Sequence, residues 1–100
     1  MNKVAEVSLI SQTVTYDDIG VPTIQESETS VIGNFSSVSA QEFFRGGELG
    51  IKPEFIVKIW SSEYNGETLL KYNGQRYVIY RMYLEDSGRC ELYCQKDVGA

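Results

Sequence analysis

Residues 64–95 read YNGETLLKYNGQRYVIYRMYLEDSGRCELYCQ, and their punctuation predicts the fold. Asn65-Gly66, Asn73-Gly74 and Ser87-Gly88 separate runs rich in Tyr, Val, Ile and Leu. Asn-Gly favours the type I′ turn, because both central residues need positive φ and the turn's twist matches that of the strands it joins. The stretch, with the apolar run before it, predicts a β-meander with strands at 54–61, 67–72, 75–86 and 89–95. In the third strand Val78, Tyr80, Met82 and Leu84 face one way and Tyr77, Ile79, Arg81 and Tyr83 the other, so both faces are substantially apolar. Such a strand is central to a closed barrel, packed by a helix, or buried against another subunit.

Upstream, residues 4–16 and 23–32 are rich in Val, Thr, Ile and Ser and flank the turn-prone DDIGVP of residues 17–22. They predict two long strands joined by a mobile loop, with Pro22 limiting ladder pairing there. Their polar outward positions, Glu26 and Glu28 among them, suit a barrel wall or a protected edge. The helix signal is VSAQEFFRGG, residues 38–47. Ser39 can cap the amide of Glu42 while Glu42 reaches back to Ser39, Val38 can staple against Phe43, and Gly46 and Gly47 stop the helix after about two turns. Residues 48–53 then form a glycine-flanked loop free to rearrange. The expected fold is all-β with one short helix: a small antiparallel β-barrel with a C-terminal β-meander, one domain over residues 1–100.

Composition narrows the chemistry. At 100 residues the chain is one domain's worth, and its 42% hydrophobic and 23% charged residues match a folding sequence. Its net charge of −5 opposes the counterion release that drives duplex DNA binding. The chain has no histidine, which removes the commonest general base and metal ligand. A Ser nucleophile would therefore need an unusual base, and none is readable. Glycines 46, 47 and 50 form no phosphate-binding motif. The acidic pairs Asp17-Asp18 and Glu85-Asp86 lie in predicted turns, where Asp is favoured by backbone hydrogen bonding. No catalysis, metal or cofactor is expected.

No signal peptide or membrane span is readable. Cys90 and Cys94, four apart on one predicted strand, would have Cα atoms about 13 Å apart, too far for a disulfide. Free, buried thiols fit a reducing cytoplasm. There the Asn34-Phe35-Ser36 sequon would never meet glycosylation machinery.

Two binding readings remain. Lys71, Tyr72, Arg76, Tyr77, Tyr80, Arg81, Tyr83 and Arg89 interleave aromatic and basic residues, as in small OB-like barrels that stack single-stranded nucleic acid. Cross-strand Tyr and Arg pairs also stabilise ordinary sheets, and the chain is acidic. An interaction module explains more: Phe43, Phe44 and Trp60 exceed the needs of a two-turn helix and one strand, with a core role the competing reading for each.

The order of the pieces in VSAQEFFRGGELGIKPEFIVKIW (38–60) and YNGETLLKYNGQRYVIYRMYLEDSGRCELYC (64–94) resembles the head-closure, or stopper, proteins of long-tailed bacteriophages. The likeness spans residues 16–94: a long hairpin, a short helix, a pliable loop and an aromatic meander. Gly46 and Gly47 depart from it, since relatives often carry Ala or longer side chains there. The resemblance implies a virion protein assembled in the bacterial host cytoplasm, forming a ring, commonly of twelve, beneath the phage portal and adaptor rings. It would close the DNA exit channel after packaging, touching packaged DNA only sterically, and present the surface on which tail proteins dock. It implies partner contacts through Phe43, Phe44 and Arg45, with Trp60 added from its excess apolar surface. Gly46, Gly47, Glu48, Leu49, Gly50 and Ile51 would form the channel loop. A tail-completion or adaptor protein of the same virion is the near alternative. An acidic channel lining would let duplex slide without sticking, and an unpaired N-terminal strand edge could take up a partner's extended tail.

Overall fold

Six antiparallel strands close into a barrel in the order β1-β2-β3-β6-β5-β4, with β4 returning to β1. In the computed structural model, which describes residues 3–97, the elements are β1 (Lys3–Tyr16), β2 (Pro22–Ser36), α1 (Ala40–Glu48), β3 (Pro53–Trp60), β4 (Leu69–Tyr72), β5 (Gln75–Leu84) and β6 (Arg89–Lys96). A 3-10 turn at Ser61–Glu63 follows β3. The expected all-β barrel with a C-terminal meander is thus the observed architecture; the termini of the expected 1–100 domain, residues 1, 2 and 98–100, lie outside the described residues.

Alternation fills the interior. Val7 and Leu9 of β1, Val31 of β2, Val57 and Ile59 of β3, Leu70 of β4, Ile79 of β5, and Cys90, Leu92 and Cys94 of β6 form one buried cluster. Phe35, Phe55, Tyr72 and Tyr77 plug one end, their ring centroids 4.6–6.4 Å apart in tilted and edge-on pairs, a geometry that aromatic quadrupoles favour. Cys90 and Cys94 are free and fully buried, and burial pushes the Cys94 thiol up to about 12. Gly33 is also buried, and a Cβ on it would lie 2.4 Å from Val57 Cγ1.

The meander's second turn follows the sequence rule: Asn73 and Gly74 both have positive φ, 53° and 81°. The first does not. The strand expected to begin at Glu67 begins at Leu69, because the Glu67 carboxylate accepts the Asn65 amide at 2.8 Å and its carbonyl accepts the Tyr64 hydroxyl at 2.7 Å, which makes 64–68 a buttressed loop. β5 ends at Leu84, two residues short of expectation, and its alternation breaks where a bulge between Ile79 and Arg81 inserts one residue opposite β6. Beyond the bulge Met82, Tyr83 and Leu84 are exposed. The two-sided cover expected for this strand therefore holds only for its first half.

β2 runs four residues past its expected end, to Ser36, because Asn34, Phe35 and Ser36 pair with Lys58, Val57 and Ile56 of β3. At its other end the hairpin outruns the barrel. β1 and β2 pair over 14 positions, but β4 meets β1 only at Ser8, Leu9 and Ile10. Residues 11–27 consequently project as a two-stranded arm, about 20 Å long at 3.3 Å per residue. Its turn is ordered where a mobile loop was expected: the Asp17 carboxylate accepts the amides of Ile19 and Val21 at 3.0 and 2.8 Å, and Asp17 N–H donates to the Val21 carbonyl at 3.1 Å.

Candidate functional site

Helix α1 is the first candidate surface. Ser39 Oγ accepts the Glu42 amide at 3.1 Å, as the capping reading requires, but Glu42 does not reach back. Its carboxylate instead accepts the Tyr80 hydroxyl at 3.0 Å and the Arg81 guanidinium at 2.6 Å. The bulge in β5 is the physical reason, since an inserted residue re-aims its side chain off the regular pleat; here Tyr80 meets the helix. Burial, then the Glu42 hydrogen bond, raises the Tyr80 hydroxyl's pKa far above its ordinary range. Arg81 is held on its other side over the Tyr93 ring, 4.0 Å from its centroid.

Gly46 and Gly47 do not stop the helix. Both are helical, and Gly46 is the buried residue through which the helix rests on β3: a Cβ there would lie 2.9 Å from Pro53 Cγ. The stop is Gly50, whose φ of +78° lets Ile51 N–H bond to the Gly46 carbonyl at 2.7 Å and Gly50 N–H to the Gly47 carbonyl at 3.2 Å. Together these bonds make a Schellman motif, which satisfies the last carbonyls of a helix. The residues assigned to a pliable channel loop are accordingly a tied-down helix end: Gly46, Gly47 and Glu48 in its last turn, Leu49 its cap, Gly50 and Ile51 its closure. Lys52 N–H is also anchored, to the Gln95 side chain at 3.2 Å.

Phe43, Phe44 and Leu49 are 52%, 71% and 73% exposed, and Arg45 is exposed with no ion-pair partner among the described residues. The core alternative for the two phenylalanines is therefore excluded. Trp60 is also half exposed, yet the structure does not bring it to them: it ends β3 while the helix packs on Pro53 at the start, about 23 Å away along the strand. Its ring lies under the Arg89 guanidinium at 4.4 Å, beside Val4 and Ile32, in a shallow depression also lined by Glu63. Arg89 Nε and Glu63 Oε1 are buried there without hydrogen-bond partners.

The third surface was not singled out in the sequence. The arm carries Val14, Tyr16, Ile19, Val21 and Ile24, all 48–85% exposed. Alternation is present there, but periodicity alone does not tell a strand whose apolar face meets a core from one that outruns its barrel.

The aromatic and basic set is dispersed. Tyr72 and Tyr77 belong to the end plug. Arg76 makes a two-pronged pair with Glu26 at 2.9 and 3.2 Å, Lys71 lies 3.8 Å from Glu28, Arg81 is taken by Glu42 and Arg89 by Trp60. No free basic stacking face results from these residues. The acidic pairs are turn elements: Asp17 caps its own loop, and Glu85 pairs with Lys58 at 2.9 Å and accepts Ser87 Oγ at 3.2 Å. No cluster of three or more metal-ligating side chains occurs among the described residues. No helix among them is long and apolar enough to cross a membrane.

Glu26 braces the arm to β5. Hydrogen bonds from Arg76 and Gln12 lower its carboxyl from 4.5 to about 2. A depressed pKa contributes stability that is complete above the unfolded value, so the brace should weaken as pH falls from about 4.5 towards 2. NMR titration should place the Glu26 midpoint near about 2 and move it back towards 4.5 in Arg76→Gln; an ordinary midpoint in the parent protein would show that the brace does not form in solution. No family model matches the chain, and no curated protein matches it.

Proposed function

We propose that this chain is a structural assembly subunit, and specifically a phage head-closure protein. It forms a ring under the portal and adaptor, closes the exit channel after packaging and offers the tail its docking surface. The observation that carries this reading is that the barrel completes its own core while large apolar side chains stay uncovered on the helix, in the Trp60 depression, along the arm and at the end of β5 beyond its bulge. Exposed apolar surface of this kind marks interaction sites. Separate surfaces suit a subunit that meets neighbours within a ring and further rings above and below it.

Phe43, Phe44 and Arg45 would face the adaptor or a neighbouring copy. With the helix end tied by a Schellman motif, closure would come from bringing rigid helix ends together and not from a swinging loop. Outside the arm's own ladder, β2 has no strand neighbour before Asn34, leaving an edge where an extended tail could add as a strand. An acidic chain in the channel repels phosphate, so retention would be steric.

The test is electron microscopy of particles from a phage lacking only this gene. Heads that package DNA and then leak, with normal tails accumulating unattached, are the expected result. Full heads with defective tails would assign the chain to tail completion, and normal virions would remove it from the particle.

A further inference from the structure

We infer that the arm tip of one copy docks in the groove between α1 and β5 of the next copy, with Ile19 entering the groove and Asp18 meeting Arg45. The inference rests on the ring reading above and names the contact that would build the ring.

The tip is a preorganised acidic and apolar knob. Ile19 is the most exposed large apolar side chain described, at 85%, with Tyr16 and Val21 beside it. Asp17 is occupied in holding the turn through two backbone amides, so the loop is fixed before any contact forms, which lowers the entropic cost of docking. Asp18, next to Ile19, has no partner among the described residues and offers its charge outward.

The groove has the complementary character. Leu49, Ile51, Tyr80 and the backbone of Gly46 supply its apolar walls. Within it the Glu42 carboxylate is neutralised by Arg81 and also hydrogen-bonded by Tyr80, leaving Arg45 as the uncompensated charge. An acidic apolar knob therefore faces a cationic apolar cleft. Complementary charge at the rim of an apolar contact fixes orientation and rejects wrong partners more than it adds affinity.

Topology makes the contact intermolecular. β2 runs from Pro22 at the tip to Ser36, and the helix starts four residues later. The strand's 15 residues separate tip from helix by about 45 Å when extended, and the molecule's longest dimension is 50 Å. One copy cannot fill its own groove. Knob and groove are different surfaces, so the contact is heterologous and propagates head to tail, closing where the rotation per subunit allows.

Cysteine cross-linking of the full chain tests this, since both native thiols are fully buried and give little background. Ile19→Cys mixed with Leu49→Cys should give one disulfide-linked dimer under mild oxidation, and the double variant should give a ladder or a closed ring. In the double variant Arg45→Asp should reduce the bridge several-fold, and adding Asp18→Arg, which then faces the carboxylate that Arg45→Asp places on the next copy, should restore it. Light scattering runs in parallel. Oligomers that form without a 19–49 bridge would overturn the arm contact and leave the ring reading standing. Dominant pairing of Ile19→Cys with itself, or bridging of Ile19→Cys to a different virion protein in particles, would also overturn the arm contact. A monomer at every concentration with no bridge would overturn the arm contact, while the ring reading is decided by the particles themselves.

Discussion

Gly33→Ala should lower the melting temperature by roughly 5–20 °C, following from about 1–3 kcal/mol of overpacking and about 4–8 °C per kcal/mol for a domain of this size. Two effects compete. Alanine reduces the freedom of the unfolded chain, which by itself stabilises by about 0.4–1 kcal/mol. Against this, the new methyl would sit 2.4 Å from Val57 Cγ1 and 3.5 Å from Ile59 Cγ2, and both partners are fully buried. Val57 is β-branched and stiff about χ1, so it cannot swing aside as the end of a long side chain would. Overlap should win. The diagnostic is a double-mutant cycle: Val57→Ala makes room for the methyl, so the two changes together should cost less than their sum. A melting temperature unchanged in Gly33→Ala would mean that β2 and β3 do not approach as closely as described.

Phe44→Asp should do the opposite, leaving the fold intact and abolishing incorporation into the connector. Surface substitutions away from special features usually change stability by less than about 0.5 kcal/mol, and Phe44 is 71% exposed. An aspartate in an apolar interface core must be desolvated without a partner, a cost that scales with burial in the complex and not in the free chain. Circular dichroism and thermal melting should match the parent protein, while mutant chains should be absent from purified particles. Phe35→Ala is the contrasting control: that ring is buried in the end plug, and its loss should cost about 3–5 kcal/mol. A Phe44→Asp protein that fails to fold, or one that enters particles normally, would remove Phe44 from the interface.

Much of the fold was legible because its signals are local. The Asn73-Gly74 turn, the burial of Cys90 and Cys94 on one strand, and the Ser39 cap each depend on residues within a few positions of one another. The candidate surfaces were half legible. Phe43 and Phe44 stood out as excess apolar residues on a short helix, and they are exposed. Ile19 did not stand out because a single apolar residue in a predicted turn carries no periodic signal, and Tyr16 because an apolar residue at the end of a strand reads as core until the length of the neighbouring strand is known.

What the chain by itself determined was the number of strands and their succession along the sequence, the helix start and the absence of a Cys90–Cys94 disulfide, all set by steric rules and side-chain period along the backbone. Tertiary structure alone decided the rest. Whether Gly46 would break a helix or pack it depended on Pro53 arriving at 2.9 Å from its missing Cβ. Whether Glu42 would close a capping box depended on a bulge 38 residues away presenting Tyr80. The arm exists because β4 meets β1 at three positions while β2 meets it at 14, a mismatch between partners that no single strand encodes.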